Sequence, residues 1–346
     1  MIAAGGTAGH VVPALAVARE LSAAGALVEF IGADRAESEL VPEAGYALHS
    51  IVVRGLSRSD PREAIAAGAT ASRAALSART ILGEVKPDAV LGAGGYVAGV
   101  VGAAALSRRI PLVLAEADSH VGLSNRILAP FARAVCLAFE PPGGAGRRAI
   151  VTGRPVDPPF TDRAAAREAL GLPADGQCVL VSGGSLGARS INEAALAAFA
   201  DAPYHVLHVS GRRDYSELEA QRPPGYDLRE YLDRPRFAMA LAACDLAVGR
   251  SGGSVFELAA QGLPSILVPY PAATADHQSE NARWLERGGA AVVIDDGELT
   301  APRLRAAVDA LLADPARLER MGTAALALAR PDAASRIARV TLAAAR

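Results

Sequence analysis

Aromatic side chains are scarce in this sequence, only 4% of 346 residues, so its cores have to be filled with Ala, Val and Leu. Lysine is almost absent. Lys86 is the only one, and arginine carries nearly all the positive charge, a bias of genome composition rather than of mechanism. Cysteine is rare too: Cys136, Cys178 and Cys244 are odd in number, far apart and set in apolar runs. That pattern excludes a disulfide frame and a cysteine zinc site, and leaves the expectation of reduced core thiols in a cytosolic protein. Excess charge of either sign is missing. A net charge of -2 offers no basic footprint for nucleic acid, and a hydrophobic fraction of 51% excludes disorder. No signal-peptide pattern is expected, because the chain runs straight into a glycine motif. Ala89 to Ser107 carries no charge and is long enough to test as a transmembrane helix. Its GAGG and later glycines suit a buried strand, a turn and a buried helix better.

What is present in quantity is a strand, glycine turn and helix, repeated over roughly two domains' length. Ile2-Ala3-Ala4 is a very short first strand before Gly5-Gly6-Thr7-Ala8-Gly9-His10. The spacing of Ala14, Val17, Ala18 and Leu21 predicts a helix from Pro13 to Ala24, stopped by Gly25, and then a strand from Leu27 to Ile31. An opening of this kind usually begins with a longer strand, so a few further N-terminal residues are expected. Ala89-Val90-Leu91 leads into Gly92-Ala93-Gly94-Gly95-Tyr96, and Pro111 to Leu114 is an apolar strand ending in Glu116-Ala117-Asp118. Residues 141–146 (PPGGAG), Gly153-Arg154-Pro155 and Pro158-Pro159 mark a domain junction. Beyond it the same order restarts: a strand at Gln177 to Ser182, the turn Gly183-Gly184-Ser185-Leu186-Gly187, and a helix at Ala188 to Ala200. Tyr204 to Ser210, Leu246 to Gly249, Ser265 to Pro269 and Ala291 to Ile294 supply further strands, and alanine-rich helices follow Ala301. Strands alternating with helices predict an α/β fold of two doubly wound, Rossmann-like parallel-sheet domains.

The richest stretch is Arg250 to Gln278. A turn at Gly252-Gly253-Ser254 follows an apolar run, a short helix from Val255 to Gln261 is terminated by Gly262 and Pro264, and a strand re-enters. A helix N-terminus presents free N–H groups and a positive dipole end, which suits an anionic diphosphate. Glu257, one turn inside, is placed to accept bonds from a ribose diol. Asp276, His277 and Gln278 follow the next strand, at the mouth of the same cleft in a parallel sheet. An ordinary capped βαβ unit is the alternative, and three glycine turns in one chain weigh against it.

Spacing excludes the familiar glycine chemistries. None of the three turns completes G-x-G-x-x-G, no G-x-x-x-x-G-K-[ST] exists, and there is neither a D-x-D pair nor H-E-x-x-H. No dinucleotide dehydrogenase, P-loop ATPase or motif-bound metal is therefore expected. His205 and His208, three apart in a strand, fall on opposite faces as core or edge residues. Two glycine-turn domains facing an interdomain cleft suit a two-part ligand, with a diphosphate met by helix N-termini and Arg250. His10 ends the first turn, where an imidazole can take a proton from a substrate hydroxyl; capping or core packing is its alternative.

These motifs together resemble the MurG family of peripheral-membrane N-acetylglucosaminyltransferases of peptidoglycan synthesis. GGTAGHVVPALAVARELSAAG is similar to that family's first glycine loop and helix, GAGGYVAG to its second loop, GGSLGARSIN to its third, and RSGG…FELAAQGLPS…DHQSENA to its donor-sugar segment. The resemblance covers essentially the whole chain. It implies the type B glycosyltransferase fold, with an acceptor and membrane-facing domain over 1–153, a UDP-sugar domain over 154–329, and a C-terminal helix at 330–346 packing back on the first. It implies inverting transfer of N-acetylglucosamine from UDP-N-acetylglucosamine to the C4 hydroxyl of lipid I, giving lipid II and UDP on the cytoplasmic face of the bacterial plasma membrane. By the same resemblance His10 and Glu116 are the catalytic pair. Thr7, Ala8, Gly9, Asp118, Gly184, Ser185, Asn192, Leu232, Arg250, Gly252, Gly253, Ser254, Glu257 and Gln278 fall on the donor side. Gly94, Gly95, Tyr96 and Asn125 fall on the acceptor side. No cofactor or metal is implied. The implied partners are the two substrates, an anionic membrane surface and other cell-wall synthesis proteins.

The chain departs from the family pattern. Glu116-Ala117-Asp118 stands where Glu-Gln-Asn is common, and Gly153-Arg154-Pro155-Val156-Asp157 where Gly-Asn-Pro-Val-Arg is common. Arg154 is thus the candidate to replace a diphosphate-facing arginine missing at Asp157. The donor turn is one residue shorter between Arg250 and Glu257. Arg54, Arg58, Arg62, Arg73 and Arg79, interleaved with Leu56, Ile65, Leu76 and Ile81, form either a solvated amphipathic helix or a patch for anionic lipid head groups. The rival functions are another UDP-sugar-dependent lipid glycosyltransferase, a UDP-N-acetylglucosamine epimerase, and a non-catalytic nucleotide-sugar binder.

Overall fold

The computed structural model describes residues 1–6, 8–52, 61–140, 146–273 and 276–345, without the side chains of Ala8 and residues 61–71. Thr7, Arg54, Leu56, Arg58 and 141–145 of the expected junction lie outside the described residues, as do the side chains of Arg62 and Ile65. The chain divides into two compact units, one of Met1–Asp157 with Arg330–Arg346, the other of Pro158–Ala329.

The first unit runs β1 (Ile2–Ala3), α1 (Ala8–Ala23), β2 (Glu29–Gly32), α2 (Ala36–Glu43), β3 (Ala47–Ser50), α3 (Pro61–Val85), β4 (Val90–Gly92), α4 (Gly95–Ser107), β5 (Leu112–Glu116), α5 (Leu123–Leu128), β6 (Ala134–Leu137) and β7 (Ala149–Val151). Its seven strands are parallel in the order β3-β2-β1-β4-β5-β6-β7. Strand alternation sends Ile2 into a core with Val11, Leu15 and Ala18 of α1, and Ala3 into one with Ala78 and Leu82 of α3 and Val97 and Val101 of α4. Helices therefore cover both faces, as a parallel sheet requires.

The second unit runs α6 (Arg163–Leu170), β8 (Cys178–Ser182), α7 (Arg189–Ala198), β9 (His205–Val209), α8 (Tyr215–Glu219), β10 (Asp227–Arg229), α9 (Arg234–Ala243), β11 (Leu246–Gly249), α10 (Ser254–Gln261), β12 (Ser265–Leu267), α11 (His277–Arg287), β13 (Ala291–Val293), α12 (Ala301–Leu312) and α13 (Pro315–Leu328). Its six strands, again parallel, are ordered β10-β9-β8-β11-β12-β13. The chain then returns to the first unit, where α14 (Ala333–Ala344) packs Ile337 and Ala338 against α1.

Several boundaries move by a few residues from expectation, and two of them show a local reason. The helix expected from Pro13 begins at Ala8 and holds Pro13 inside it. The strand expected from Leu27 begins at Glu29, because Gly25 turns the chain with φ at 85° and Leu27 is left 87% exposed. The uncharged window at Ala89–Ser107 resolves into β4, a turn and α4, whose 13 residues span about 20 Å. Among the described residues no helix is long and apolar enough to cross a membrane. All three cysteines are free and buried.

The second core encloses one polar network. His208 on β9 is wholly buried, with Nε2 3.1 Å from Asn192 Oδ1 and Nδ1 3.1 Å from the Tyr226 hydroxyl. An amide oxygen only accepts, so Nε2 carries the proton and Nδ1 accepts from Tyr226. Asn192 in turn donates to the Ser210 carbonyl at 2.9 Å and to Asp214 at 3.1 Å. Burial pushes the His208 imidazole down from 6.5 to about 4. The unfolded chain therefore binds a proton first, and this contribution to stability is complete above pH 6.5 and is lost as pH falls towards 4. The loss amounts to up to about 3 kcal/mol. His205, raised by its hydrogen bond to Asp227, acts with the opposite sign, so the informative comparison is with His208→Gln, in which that term is unchanged. Urea midpoints measured between pH 7 and pH 4.5 should fall less steeply in His208→Gln than in the parent. Equal slopes would contradict a neutral buried imidazole.

Candidate functional site

Each sheet changes its direction of winding once, between β1 and β4 and between β8 and β11. At such a point neighbouring helices leave on opposite faces and the strand ends open a crevice. The glycine turns lie at these ends.

In the first unit Gly5-Gly6 leads into α1 and Gly94-Gly95 into α4. The two turns touch. A Cβ on Gly94 would lie 2.7 Å from the His10 ring, and one on Gly95 would lie 2.7 Å from the Gly5 carbonyl oxygen. Both residues have positive φ, 94° and 75°, so any side chain there is excluded by backbone strain as well as by space. His10, in the first turn of α1, is half-buried with its imidazole against Gly94.

Glu37 in α2 holds the first turn from below. It is wholly buried and accepts from Gly6 N at 3.0 Å and Ala33 N at 2.8 Å. Glu116, at the end of β5, is 7% exposed and is engaged by its own chain: it accepts from Gly122 N at 2.8 Å, Asn125 Nδ2 at 2.9 Å and Asp118 N at 3.3 Å. Arg154, nearly buried, donates to Gly9 O at 2.8 Å, to Ala117 O at 2.9 Å and to Asp118 Oδ1 at 3.4 Å. Gly9, His10, Gly94, Gly95, Glu116, Asp118, Asn125 and Arg154 are thereby joined into one cluster, and Tyr96 stands 46% exposed in the first turn of α4. Asp157, the other departure, pairs with Arg19 at 2.8 Å.

In the second unit the Gly183–Gly187 turn leaves Gly184, Ser185 and Leu186 exposed before α7. Asn192, one turn into that helix, is wholly buried, its amide committed to the His208, Ser210 and Asp214 network beneath the turn. The next helix along the sheet, α10, begins at Ser254 behind Gly252-Gly253, with Glu257 half-buried in its first turn. Gln278 is near Gly252 and accepts from Tyr270 N at 3.0 Å, while Ser251 Oγ donates to the Gln278 carbonyl at 2.7 Å. Leu232 is buried between β10 and α9.

Arg250 is neutralised inside its own unit. One guanidinium nitrogen donates to Asp296 Oδ1 at 2.6 Å and to the carbonyls of Val268 and Pro269 at 3.1 Å, the other to Ser190 Oγ at 2.9 Å. The guanidinium also lies 5.3 Å from the Tyr270 ring centroid. Among the described residues no group of three or more His, Cys, Asp or Glu side chains gathers as a metal site.

Sequence reasoning missed Glu37, Ser190, Asp214, Asn281 and Asp296. Asn281 stands in the quoted DHQSENA run and donates to Ser251 O at 3.0 Å, so that run carried a signal for it. Glu37, Asp214 and Asp296 each hold a partner far away in sequence, Gly6, Asn192 and Arg250 in turn, and no motif spacing exposes those pairings.

Comparison with known proteins agrees with this geometry. Residues 1–137 match the glycosyltransferase family 28 N-terminal domain, and residues 178–337 the glycosyltransferase family 28 C-terminal domain. The chain is 42% identical over 362 residues to the UDP-N-acetylglucosamine–N-acetylmuramyl-(pentapeptide) pyrophosphoryl-undecaprenol N-acetylglucosamine transferase of Moorella thermoacetica, covering 99% of this chain and 98% of the relative. It is 40% identical over 351 residues to the protein of that name in Pseudomonas putida, covering 99% and 96%. Among solved structures, Acinetobacter baumannii MurG superposes with a TM-score of 0.80 at 29% identity, over 99% of this chain and 98% of that one. A UDP-GlcNAc 2-epimerase from Neisseria meningitidis, bound to UDP-GlcNAc, reaches a TM-score of 0.69 at 15% identity over 99% of both chains, a likeness of fold alone. Two parallel-sheet units with paired glycine turns, both domain matches and near-complete alignment at this identity place the chain in glycosyltransferase family 28, as a member of the MurG family.

Proposed function

We infer that this protein transfers N-acetylglucosamine from UDP-N-acetylglucosamine to the C4 hydroxyl of the muramoyl sugar of lipid I, releasing UDP and lipid II. The observation that carries the reading is the near-complete match to transferases of that name at 42% identity, together with an imidazole held against a glycine turn at a strand end. His10 takes the proton of the attacking hydroxyl. The oxygen bonds to the anomeric carbon as the bond from that carbon to the diphosphate oxygen breaks, the configuration inverts, and UDP leaves with the electron pair. Gly94, Gly95, Tyr96 and Asn125 meet the acceptor. Glu116 has its oxygens occupied by the chain, so in this reading it orients Asn125 and Gly122.

The second unit holds the donor. The diphosphate meets the turn before α7, at Gly184 and Ser185, and the N-terminus of α10, at Gly252–Ser254, where backbone N–H groups and the helix dipoles favour an anion. Glu257 accepts from the ribose, Gln278 meets the sugar hydroxyls, and the backbone at Leu232 meets the uracil. The charge of Arg250 is already offset by Asp296, and this supports a reading in which the helix ends carry the main share of diphosphate recognition. Thr7, Ala8 and Gly9 complete the donor contacts in this reading. No metal enters it. An epimerase would need no acceptor and would release UDP in acceptor-free buffer.

The protein docks peripherally on an anionic membrane through its first unit. Leu123, Ile127 and Phe131 are 60–67% exposed at a spacing of four with Arg126 and Arg133 exposed beside them, and Leu76 is 66% exposed on α3 between Arg73 and Arg79. Such a surface combines apolar insertion with attraction to lipid head groups. Other cell-wall synthesis proteins are partners that fit this location.

Transfer of radiolabelled N-acetylglucosamine from UDP-N-acetylglucosamine to a soluble lipid I analogue, with excess chelator, tests the reaction. Disaccharide is the expected product, and donor binding without transfer would overturn the acceptor. His10→Ala should lower kcat by about 10²–10⁴-fold while UDP affinity is kept, as removal of a general base does. On sedimentation with phosphatidylglycerol vesicles, binding should fall as salt rises from 0.05 to about 0.5 M. Equal binding to phosphatidylcholine vesicles would remove the electrostatic part of the docking.

A further inference from the structure

Pro13 lies inside α1, at the sixth residue of the helix. Proline has no N–H, so the carbonyl four residues earlier loses its helical partner. That carbonyl belongs to Gly9, the residue before His10. In this structure it is not left unmade: Arg154 Nη2 reaches it at 2.8 Å. The other arm of the same guanidinium donates to Ala117 O at 2.9 Å, in the loop after β5 that Glu116 organises. Arg154 is 9% exposed, and its planar fork spans two separate backbone segments, which an ammonium point donor does not do. Further along α1, Arg19 pairs with Asp157 at 2.8 Å. Arg154 and Asp157 are the two positions where the chain departs from its family's common Gly-Asn-Pro-Val-Arg, and both side chains are engaged with α1.

We propose that Arg154 is a positioning residue: it supplies the hydrogen bond that Pro13 withholds from Gly9, and so fixes the His10-bearing turn of α1 to the loop after β5. The charge of Arg154 then serves the architecture of the first unit, and the donor diphosphate is bound without it. This rests on the reading of His10 as the base. It accounts for the substitution of Asn by Arg at this position without requiring the arginine to move three residues and keep its ligand.

The restoring variant is Pro13→Ala, which returns an N–H within reach of the Gly9 carbonyl. Steady-state transfer is measured for the parent, Arg154→Ala, Pro13→Ala and the double variant, with UDP affinity by calorimetry and thermal melting on each. Arg154→Ala should lose at least about tenfold in kcat, with KM for UDP-N-acetylglucosamine and Kd for UDP within about twofold of the parent. Adding Pro13→Ala should recover at least half of that loss on a logarithmic scale. Arg154→Ala placed on His10→Ala should cost nothing further, since both act on one step. A raised donor KM with kcat retained would make Arg154 a diphosphate ligand and overturn the proposal. So would a lowered melting temperature with unchanged kcat, or a loss that Pro13→Ala leaves untouched. If Arg154→Ala does not fold, a folded and active double variant supports the proposal, and failure of both refutes it. A parent enzyme without transfer would remove the functional reading itself, whereas an active parent with no rescue removes only the role of Arg154.

Discussion

In a parallel sheet every strand points the same way, so every strand-to-helix turn arrives at one edge. That constraint governs both units. The helices after β1 and β4 begin at the carboxyl ends of neighbouring strands in one unit, and those after β8 and β11 do so in the other. The crowding is severe enough that the Gly5-Gly6 and Gly94-Gly95 turns lie in van der Waals contact and the His10 ring occupies the place of a Gly94 side chain. The imidazole proposed as the base is held here by the absence of a neighbour's side chain. In the second unit the same placement brings the starts of α7 and α10 to neighbouring strand ends, and the proposed anion binding rests on that arrangement.

Turns crowded in this way need support from beneath, and the support is polar. Glu37 lies under the first turn, Glu116 under the loop after β5, Asn192 with His208 and Tyr226 under the third turn, and Asn281 under Ser251. Each takes up backbone groups that the irregular turn leaves without a ladder partner. Burying a polar group is unfavourable unless it is hydrogen-bonded, and Glu37, Glu116, Asn192 and His208 have their partners within the chain, while Asn281 uses its Nδ2 on Ser251 O. The low pKa of His208 follows from the same economy: burial strips a charged imidazole of its hydration, while a neutral one donates at one nitrogen and accepts at the other.

The periodic and local features were legible in the sequence. Two parallel α/β sheets follow from the alternation of short apolar runs with helices, and the turns from their glycines, because both signals are carried by neighbouring residues. The start of α1 was not legible. Pro13 reads as a first-turn residue, yet α1 starts at Ala8, and the Gly9 carbonyl that Pro13 leaves without a helical partner is met by Arg154, 141 positions after the proline. Glu37, Asp214 and Asp296 were silent for the same reason. Gly6, Asn192 and Arg250 are brought to them by the fold, and an acid in sequence looks the same whether it is solvated or buried.

The arginines expected to meet a diphosphate are engaged within their own units. Arg250 stands where a cation for the diphosphate is expected, yet Asp296, Ser190 and two carbonyls already hold it. Arg154 is held by Gly9, Ala117 and Asp118, and Asp157, in the position of a family arginine, makes its pair with Arg19. A guanidinium bound by several protein acceptors is stiff and largely compensated, so it shapes the ends of strands and helices more than it attracts an anion from solvent. Helix N-termini differ in kind. Their N–H groups are fixed by the helix that carries them and need no counter-ion while they wait. A leaving diphosphate gains charge as the sugar departs, and fixed dipoles answer that change without rearrangement. In the proposed reaction such dipoles act on the charge that builds on the diphosphate in the transition state, and that preference is the one that transfer demands.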